Sequence, residues 1–182
     1  MMGHKVMLRL LAATACAAIS AWPCGSPVAA HTRAVLAVAP VDFRLLTEPL
    51  TDSFGLIHHD TSARGPCHRV WQCNGIDLFA SRRTAIRAPF DGFVSQGRNE
   101  FGGRSFSLVS SDGTVQVYGA HLDSFARLAT SHVRAGDALG YVGSSGNARG
   151  GRPHLHLAVA RLTQRGWTGV NPFPLLMRLA YR

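Results

Sequence analysis

The stretch His154-Leu155-His156-Leu157-Ala158-Val159 decides the fold class of this chain. Side chains two residues apart share one face of a β-strand, whereas in a helix they diverge. As a strand, the stretch places the two histidines side by side on a polar face and directs the residues between them into a core. Two imidazoles on one strand face are a candidate metal or catalytic pair, and two surface histidines are the alternative.

Short apolar segments separated by Gly, Pro and Asp-Gly continue this pattern, and Ser111-Asp112-Gly113 is a hairpin signal. No part of this region offers a long amphipathic helix, so we predict an all-β, compact antiparallel sheet domain with a groove along one sheet. A Gly- and Ser-rich segment, 144–153, is predicted to be a flexible loop that enters the last strand. The predicted strands are 84–88, 92–96, 105–110, 115–120, 133–143 (with a turn at 135–137) and 154–160. The predicted core residues are Phe90, Phe93, Phe106, Leu108, Val117, Val142, Leu155 and Leu157.

A second candidate site segment is Cys73-Asn74-Gly75-Ile76-Asp77-Leu78-Phe79. Cys73 and Asp77 are four residues apart and share a face if the segment is extended. A carboxylate within an apolar run is costly unless it is paired or binds a metal. The alternative is a turn aspartate beside Asn74-Gly75. A third segment, 117–122, ends a strand at His121, which by itself indicates only a surface histidine.

An ordered series of motifs covers residues 51–174, and it closely resembles the lysostaphin/LytM-type zinc endopeptidases. The ordered set is far more specific than any single motif. The motifs are Asp52-Ser53-Phe54-Gly55, Gly75-Ile76-Asp77-Leu78, Ala88-Pro89-Phe90-Asp91-Gly92-Phe93-Val94, Tyr118-Gly119-Ala120-His121-Leu122, Val133-Arg134-Ala135-Gly136-Asp137, Gly140-Tyr141-Val142-Gly143, Gly146-Asn147, Pro153-His154-Leu155-His156 and Asn171-Pro172.

The resemblance implies a zinc site and two catalytic histidines. In that family zinc is held by a His, by an Asp four residues later and by the second His of a His-x-His strand. Carried over, Asp77 and His156 are metal ligands, while His121 and His154 are catalytic residues beside the metal-bound water. Zinc keeps one position open for water and lowers the pKa of that water to about 7. Neighbouring histidines can take its proton and stabilise the developing oxyanion.

One ligand position departs from the family, because Cys73 stands where the family has its first histidine. Three interpretations remain open. Cys73 could bind zinc as a thiolate. It could instead form a disulfide with Cys67, because Cys16 and Cys24 lie in the predicted signal segment 1–30 described below and two cysteines left in an exported protein usually pair; His68 would then be the candidate third ligand. The third ligand could also be absent, so that the domain no longer holds zinc firmly.

The first thirty residues are predicted to be a secretory signal peptide. A basic start at Lys5 and Arg9 precedes an apolar run, and Val28-Ala29-Ala30 offers a cleavage site. The run is too short for a stable membrane span. A lipoprotein signal ending at Cys16 is an alternative, but the later cleavage site fits the signal layout better. We therefore divide the chain into a signal peptide (1–30), a linker or edge segment (31–50) and a LytM-type peptidase domain (51–182). The protein is then exported to the periplasm, cell wall or extracellular space.

The net charge of the chain indicates what kind of partner it would attract. The formal net charge is +9, and about +7 remains after loss of Lys5 and Arg9. A cationic exported protein is attracted to anionic cell-wall polymers. Apart from the pair Arg82-Arg83, the arginines are scattered singly without a longer basic run or an aromatic platform, so we predict no nucleic-acid partner. Trp71, Tyr141 and Trp167 are candidate groove walls that could hold a peptide, although aromatic residues pack more commonly in a core.

Three functions from different classes are compatible with these residues. The first is a zinc-dependent endopeptidase that hydrolyses peptide cross-links of bacterial peptidoglycan. The second is a degenerate, inactive domain of the same type that binds cell wall or activates a separate amidase. The third is a cationic wall-adhesion or structural protein. Four of the five family site positions carry the expected residue, and the fifth carries another zinc ligand, which favours the enzyme.

Overall fold

The computed structural model describes residues 36–54, 74–128 and 131–181. These residues form ten strands and one α-helix, with short 3-10 turns at Phe43–Leu45 and Gly146–Ala148. The strands are β1 (Ile76–Phe79), β2 (Ala85–Arg87), β3 (Gly92–Asn99), β4 (Gly103–Ser110), β5 (Val115–Leu122), β6 (Ser124–Phe125), β7 (His132–Val133), β8 (Ala138–Tyr141), β9 (His154–Thr163) and β10 (Gly166–Val170), and the helix is α1 (Phe173–Ala180).

Two antiparallel sheets form the domain, which confirms the predicted fold class. The larger sheet has the strand order β1-β9-β5-β4-β3-β7, and the smaller one has the order β2-β8-β6. Strand β5 occupies one edge of β9, so β1 and β10 share the other edge: β1 pairs with residues 154–157 and β10 with residues 159–163. The long strand β9 is therefore paired along both of its edges, with its histidines at the end that pairs with β1.

The hydrophobic core confirms seven of the eight predicted core residues: Phe90, Phe106, Leu108, Val117, Val142, Leu155 and Leu157 are all buried. The prediction for Phe93 was wrong, because its side chain is 53% exposed. Gly92 and Val94 face inward on β3, so the alternation of the strand turns Phe93 outward. Its ring instead packs edge-on against His132 at 5.0 Å.

The segment before β1 packs on the same core. Leu36 and Val41 are buried there, and Leu46 forms a bridge with Ala80 at the end of β1. The predicted division of the chain at residue 50 stays a prediction, but residues on both sides of it contribute to the core and its packing.

Helix α1 closes the described chain. Its short length and its start at Asn171-Pro172-Phe173 explain why periodicity did not predict it: eight residues give barely two turns of pattern. The Asn171 side chain accepts a hydrogen bond from the Phe173 backbone N–H at 2.9 Å and donates to Asp52. In the described part of the chain, no helix has the length and apolarity to cross a membrane.

Several predictions fall outside the described residues. They concern the signal peptide at residues 1–30, the site candidates Cys73 and His68, the proposed disulfide partner Cys67 and the groove residue Trp71. These stay predictions.

Candidate active site

The register of β1 and β9 builds the centre of the site. Asp77 lies directly opposite His156, and Phe79 lies opposite His154. Directly opposed residues of an antiparallel pair project to the same face, so these four side chains form one cluster. His156 Nδ1 is 2.8 Å from Asp77 Oδ1, and His154 Nε2 is 3.7 Å from Asp77 Oδ2.

The cluster is largely withdrawn from water. The side chains of Asp77, His154 and His156 are 10%, 13% and 4% exposed. The Phe79 ring lies 5.2 Å from the His154 ring and covers its flank. Sequence analysis did not place Phe79 in the site, although its position two residues after Asp77 on the same strand face was a usable signal.

His121 joins the cluster from the end of β5. Its neighbour Ala120 pairs with His156, so regular alternation would turn His121 to the opposite face. Its backbone instead adopts the left-handed conformation, with φ +67°, and its ring lies 4.9 Å from that of His154 and 6.0 Å from that of His156. A non-glycine residue in this conformation is strained, and it keeps the conformation only when its surroundings hold it. The His121 backbone N–H donates to the Gly102 carbonyl at 2.8 Å.

Two backbone carbonyls determine which ring nitrogen carries the proton in His121 and in His154. His121 Nδ1 is 2.9 Å from the Ser145 carbonyl oxygen, and His154 Nδ1 is 2.8 Å from the Arg152 carbonyl oxygen. A carbonyl only accepts, so Nδ1–H must donate in both contacts. In the neutral rings, Nε2 is then the acceptor. Sequence analysis missed these carbonyls, because backbone partners carry no side-chain signature.

Burial and neighbouring charge set the protonation states. Burial, reinforced by the neighbouring His154, lowers the pKa of His121 to about 4, so this ring is neutral at pH 7. For Asp77, burial opposes ionisation, but the hydrogen bond from His156 and the adjacent imidazoles outweigh it and lower the pKa of the carboxyl. At neutral pH the site thus contains an ionised Asp77 beside the neutral ring of His121.

The donor set suits a zinc ion as far as the described residues reach. Carboxylate oxygen and imidazole nitrogen are both ligands that zinc accepts, and Asp77 and His156 already lie 2.8 Å from each other. His154 Nε2 and Asp77 Oδ2 are both acceptors, so a cation beside them is favourable. Within residues 36–54, 74–128 and 131–181, no group of three or more candidate ligands has the arrangement to hold a metal. The predicted third ligand, Cys73 or His68, lies outside these ranges.

The remaining candidates in the described residues have other neighbours. Trp167, predicted as a groove wall, packs with Tyr118 against Ala158 and Ala160. Tyr141 is half-buried on β8, where it pairs with Ala85 and Ser124. A groove wall formed by Tyr141 and Trp167 stays a prediction.

A match to a protein-family model decides the family. The model for Peptidase family M23 matches residues 72–172, which include Asp77, His121, His154 and His156. This chain belongs to peptidase family M23.

The M23 domain is similar to parts of longer curated proteins. It is 37% identical over 93 residues to the DD-carboxypeptidase/endopeptidase Mpg of Neisseria meningitidis serogroup B, covering 50% of this chain and 21% of that protein. It is 31% identical over 109 residues to the glycyl-glycine endopeptidase ALE-1 of Staphylococcus capitis, covering 59% of this chain and 30% of that protein. The chain therefore spans less than a third of either relative.

The fold of the M23 domain also matches solved structures. The structure of LytU shares 26% sequence identity with a TM-score of 0.52, and the match covers 70% of this chain and 83% of that one. The mostly antiparallel architecture described above is thus the architecture of a structurally characterised relative.

Proposed function

We propose that this chain is a zinc-dependent endopeptidase that hydrolyses peptide cross-links of bacterial peptidoglycan. One observation carries the proposal: two histidines, each with Nδ1–H committed to a backbone carbonyl, surround a buried aspartate–histidine pair. The carbonyls leave Nε2 of His121 and His154 as acceptors. Such an arrangement provides proton acceptors beside a cation site, and hydrolysis of an amide by an activated water requires both.

Asp77 and His156 would hold the zinc, with the third ligand supplied by Cys73 or by His68. Carboxylate, imidazole and thiolate are all ligands that zinc accepts. Zinc, when bound, lowers the pKa of a coordinated water and polarises the substrate carbonyl. The chain's own contribution is to keep the two ligands buried, so that the electrostatic attraction between carboxylate and cation is weakly screened.

His121 and His154 would handle the proton. In their neutral tautomers both present an acceptor at Nε2, so either can take a proton from the attacking water. The ring that takes it becomes a donor and can then stabilise the oxyanion or protonate the leaving amine. Their ring centroids are 4.9 Å apart, close enough for both to face one reacting group. No serine or cysteine nucleophile is needed.

The substrate class rests on the relatives and on charge. ALE-1 is named a glycyl-glycine endopeptidase, and Mpg a DD-carboxypeptidase/endopeptidase. Anionic wall polymers would attract the exported chain, whose net charge is about +7 after loss of Lys5 and Arg9. The predicted signal peptide would deliver the domain to the compartment that contains this substrate.

The test separates metal binding from proton transfer. Protein made in an oxidising compartment should contain nearly one zinc per chain by elemental analysis, and it should release peptide fragments from purified cell walls. Asp77→Asn should lose both zinc and hydrolysis. His121→Ala should keep its zinc and lose hydrolysis about 10²- to 10⁴-fold, the usual contribution of a positioned acid or base.

A matched control is His132→Ala, which removes an exposed histidine from β7 at the far end of the sheet and should change neither quantity. The result that overturns the proposal is wild-type protein with no zinc and no hydrolysis. If that protein still sediments with cell walls, the degenerate wall-binding domain is the correct function. The departure of Cys73 from the family pattern is the specific observation that keeps this second candidate.

A further inference from the structure

Arg82 bridges two segments next to His121, one that contains Asp123 and one that contains Ser144. It lies in the turn between β1 and β2, outside the histidine cluster. Its Nη1 donates to Asp123 Oδ1 at 2.7 Å, and its Nη2 donates to Ser144 Oγ at 2.7 Å. The two acceptors belong to separate segments, and Ser144 is buried. A guanidinium that engages two partners in a fixed fork restrains their separation and orientation.

One of these segments carries His121, and the other contacts its ring. Asp123 follows His121 by two residues, so it fixes the exit of the chain from β5. Ser144 immediately precedes Ser145, whose carbonyl accepts the Nδ1–H of His121. The segments also touch directly, since a Cβ placed on Gly143 would lie 2.3 Å from the Asp123 backbone nitrogen. Arg82 therefore ties the backbone that carries the His121 ring to the carbonyl that orients it.

The strain at His121 must be held by contacts from its surroundings. A left-handed conformation at a non-glycine residue is energetically unfavourable and persists only when the surroundings over-determine it. The hydrogen bonds from His121 to Gly102 and Ser145 are two of these restraints. Arg82 secures the second, because without it the Ser144 hydroxyl loses a charged donor and Asp123 loses its 2.7 Å partner.

We infer that Arg82 is a positioning residue for the hydrolysis proposed above: it holds Asp123 and Ser144 together so that the Ser145 carbonyl keeps the proton of His121 on Nδ1. The inference rests on the proposed function for its kinetic consequence. The structural consequence, the tautomer of His121, can be measured whether or not the protein hydrolyses peptide.

The adjacent Arg83 provides a matched control. It belongs to the same turn and carries the same charge, but its Nε is 4.0 Å from Asp123 Oδ2 and its side chain is 78% exposed. An exposed pair at this distance contributes little. Loss of Arg83 therefore reproduces the change in charge and in turn composition without removing the tie to Ser144.

The first experiment is ¹⁵N NMR of the imidazole of His121 in the full chain. Wild type and Arg83→Gln should both show the Nδ1–H tautomer, and Arg82→Gln should show a mixture with Nε2–H. Arg82→Lys, which can reach one acceptor at a time, should lie between them. An unchanged His121 signature in folded Arg82→Gln overturns the inference. If Arg82→Gln does not fold, Ser144→Ala removes only one of the two contacts and should show the same shift in smaller measure.

The second experiment is kinetic, on a cell-wall peptide. Arg82→Gln should lower kcat about 10- to 100-fold, the usual cost of losing a supporting partner of a site residue, with KM within about twofold of wild type. Arg83→Gln should leave both unchanged, and Arg82→Lys should recover part of kcat. Equal losses in the two Gln variants, or a loss confined to KM, contradict the inference. Wild type without hydrolysis contradicts the proposed function instead, and the NMR result still decides the role of Arg82.

Discussion

Asp77 and His121 reach the same cluster by different structural routes. Asp77 is placed by a regular antiparallel ladder, in which it lies opposite His156. His121 sits where the β4–β5 register shifts near Arg104, with φ +67°. The first placement needs only correct strand pairing. The second depends on contacts from loops that lie far away in the sequence.

The two placements differ in how easily a substitution disrupts them. Many backbone hydrogen bonds fix the position of each strand in a ladder. The strain caused by a substitution at one position is therefore distributed along the strand. The His121 region depends on a few close backbone approaches, chiefly between the segments 101–103 and 145–146. We therefore expect the most disruptive small substitution to lie in the loops around His121 rather than in the β1–β9 ladder.

The largest effect is expected for Gly146→Ala. Gly146 has φ +70°, and an added Cβ would lie 2.2 Å from the Phe101 carbonyl oxygen and 2.3 Å from the Gly103 nitrogen. The strained backbone and the overpacking should together lower the free energy of unfolding by roughly 2–4 kcal/mol. Hydrolysis should fall as well, because the Ser145 and Gly102 carbonyls that hold His121 both move. Urea denaturation and the wall-hydrolysis assay measure the two effects.

Gly150→Ala is the matched control for this loop. Gly150 has φ +84° but no atom within 4 Å of an added Cβ, so the substitution introduces strain without a clash. It should cost about 1 kcal/mol and leave hydrolysis intact. Equal losses of activity in the two variants would mean that close packing around Gly146 does not position His121.

An intermediate effect is expected for Gly75→Ala in the ladder region. The added Cβ would lie 2.5 Å from the Leu157 carbonyl oxygen and 2.7 Å from His156 Nε2. Because it pushes β9 and the His156 ring away from β1, we expect a loss of about 1–3 kcal/mol in the free energy of unfolding and weaker zinc binding. Thermal or urea unfolding and a zinc-chelator competition assay test this.

Gly97→Ala is the matched control for Gly75→Ala. Gly97 lies in the exposed second half of β3, and no atom lies within 4 Å of an added Cβ. It should be neutral or stabilise the fold by about 0.5–1 kcal/mol. Unchanged zinc affinity in Gly75→Ala would show that the approach of Gly75 to His156 does not shape the cation site.

The same comparison explains what the sequence could predict. The alternation around His154 and His156 placed both on one strand face, and the apolar surroundings of Asp77 indicated a paired carboxylate. Both signals are local, because a strand has a fixed period of two. Hydrogen bonding in the structure agrees with the pairing of Asp77.

The features that escaped prediction depend on tertiary contacts. The backbone conformation of His121 has no local signature, since histidine adopts positive φ only rarely. The Ser145 and Arg152 carbonyls and the Arg82 tie come from segments brought together by folding. Phe93 was assigned to the core for its apolar character, but its strand neighbour Val94 takes the inward position.

The smallest effect is expected for Arg83→Gly. Its sign should be opposite to that of Gly146→Ala and Gly75→Ala, because it should raise the free energy of unfolding. Arg83 and His121 are the two non-glycine residues with positive φ in the described part of the chain, and Arg83 has φ +71°. Unlike His121 it is exposed, with one long ion-pair contact. Glycine removes the strain of about 1–2 kcal/mol but adds entropy to the unfolded chain, so a net gain of about 0.5–1 kcal/mol in unfolding free energy is expected.

Arg98→Gly on exposed β3 should show the reverse, a loss of about 0.5–1 kcal/mol, because that position has no positive φ for glycine to relieve. Urea denaturation of both variants and of wild type gives the comparison, and hydrolysis should be unchanged in Arg83→Gly. A destabilised Arg83→Gly would mean that its side chain supports the turn. In that case the strained backbone of Arg83 would help to place Arg82, and so would influence His121.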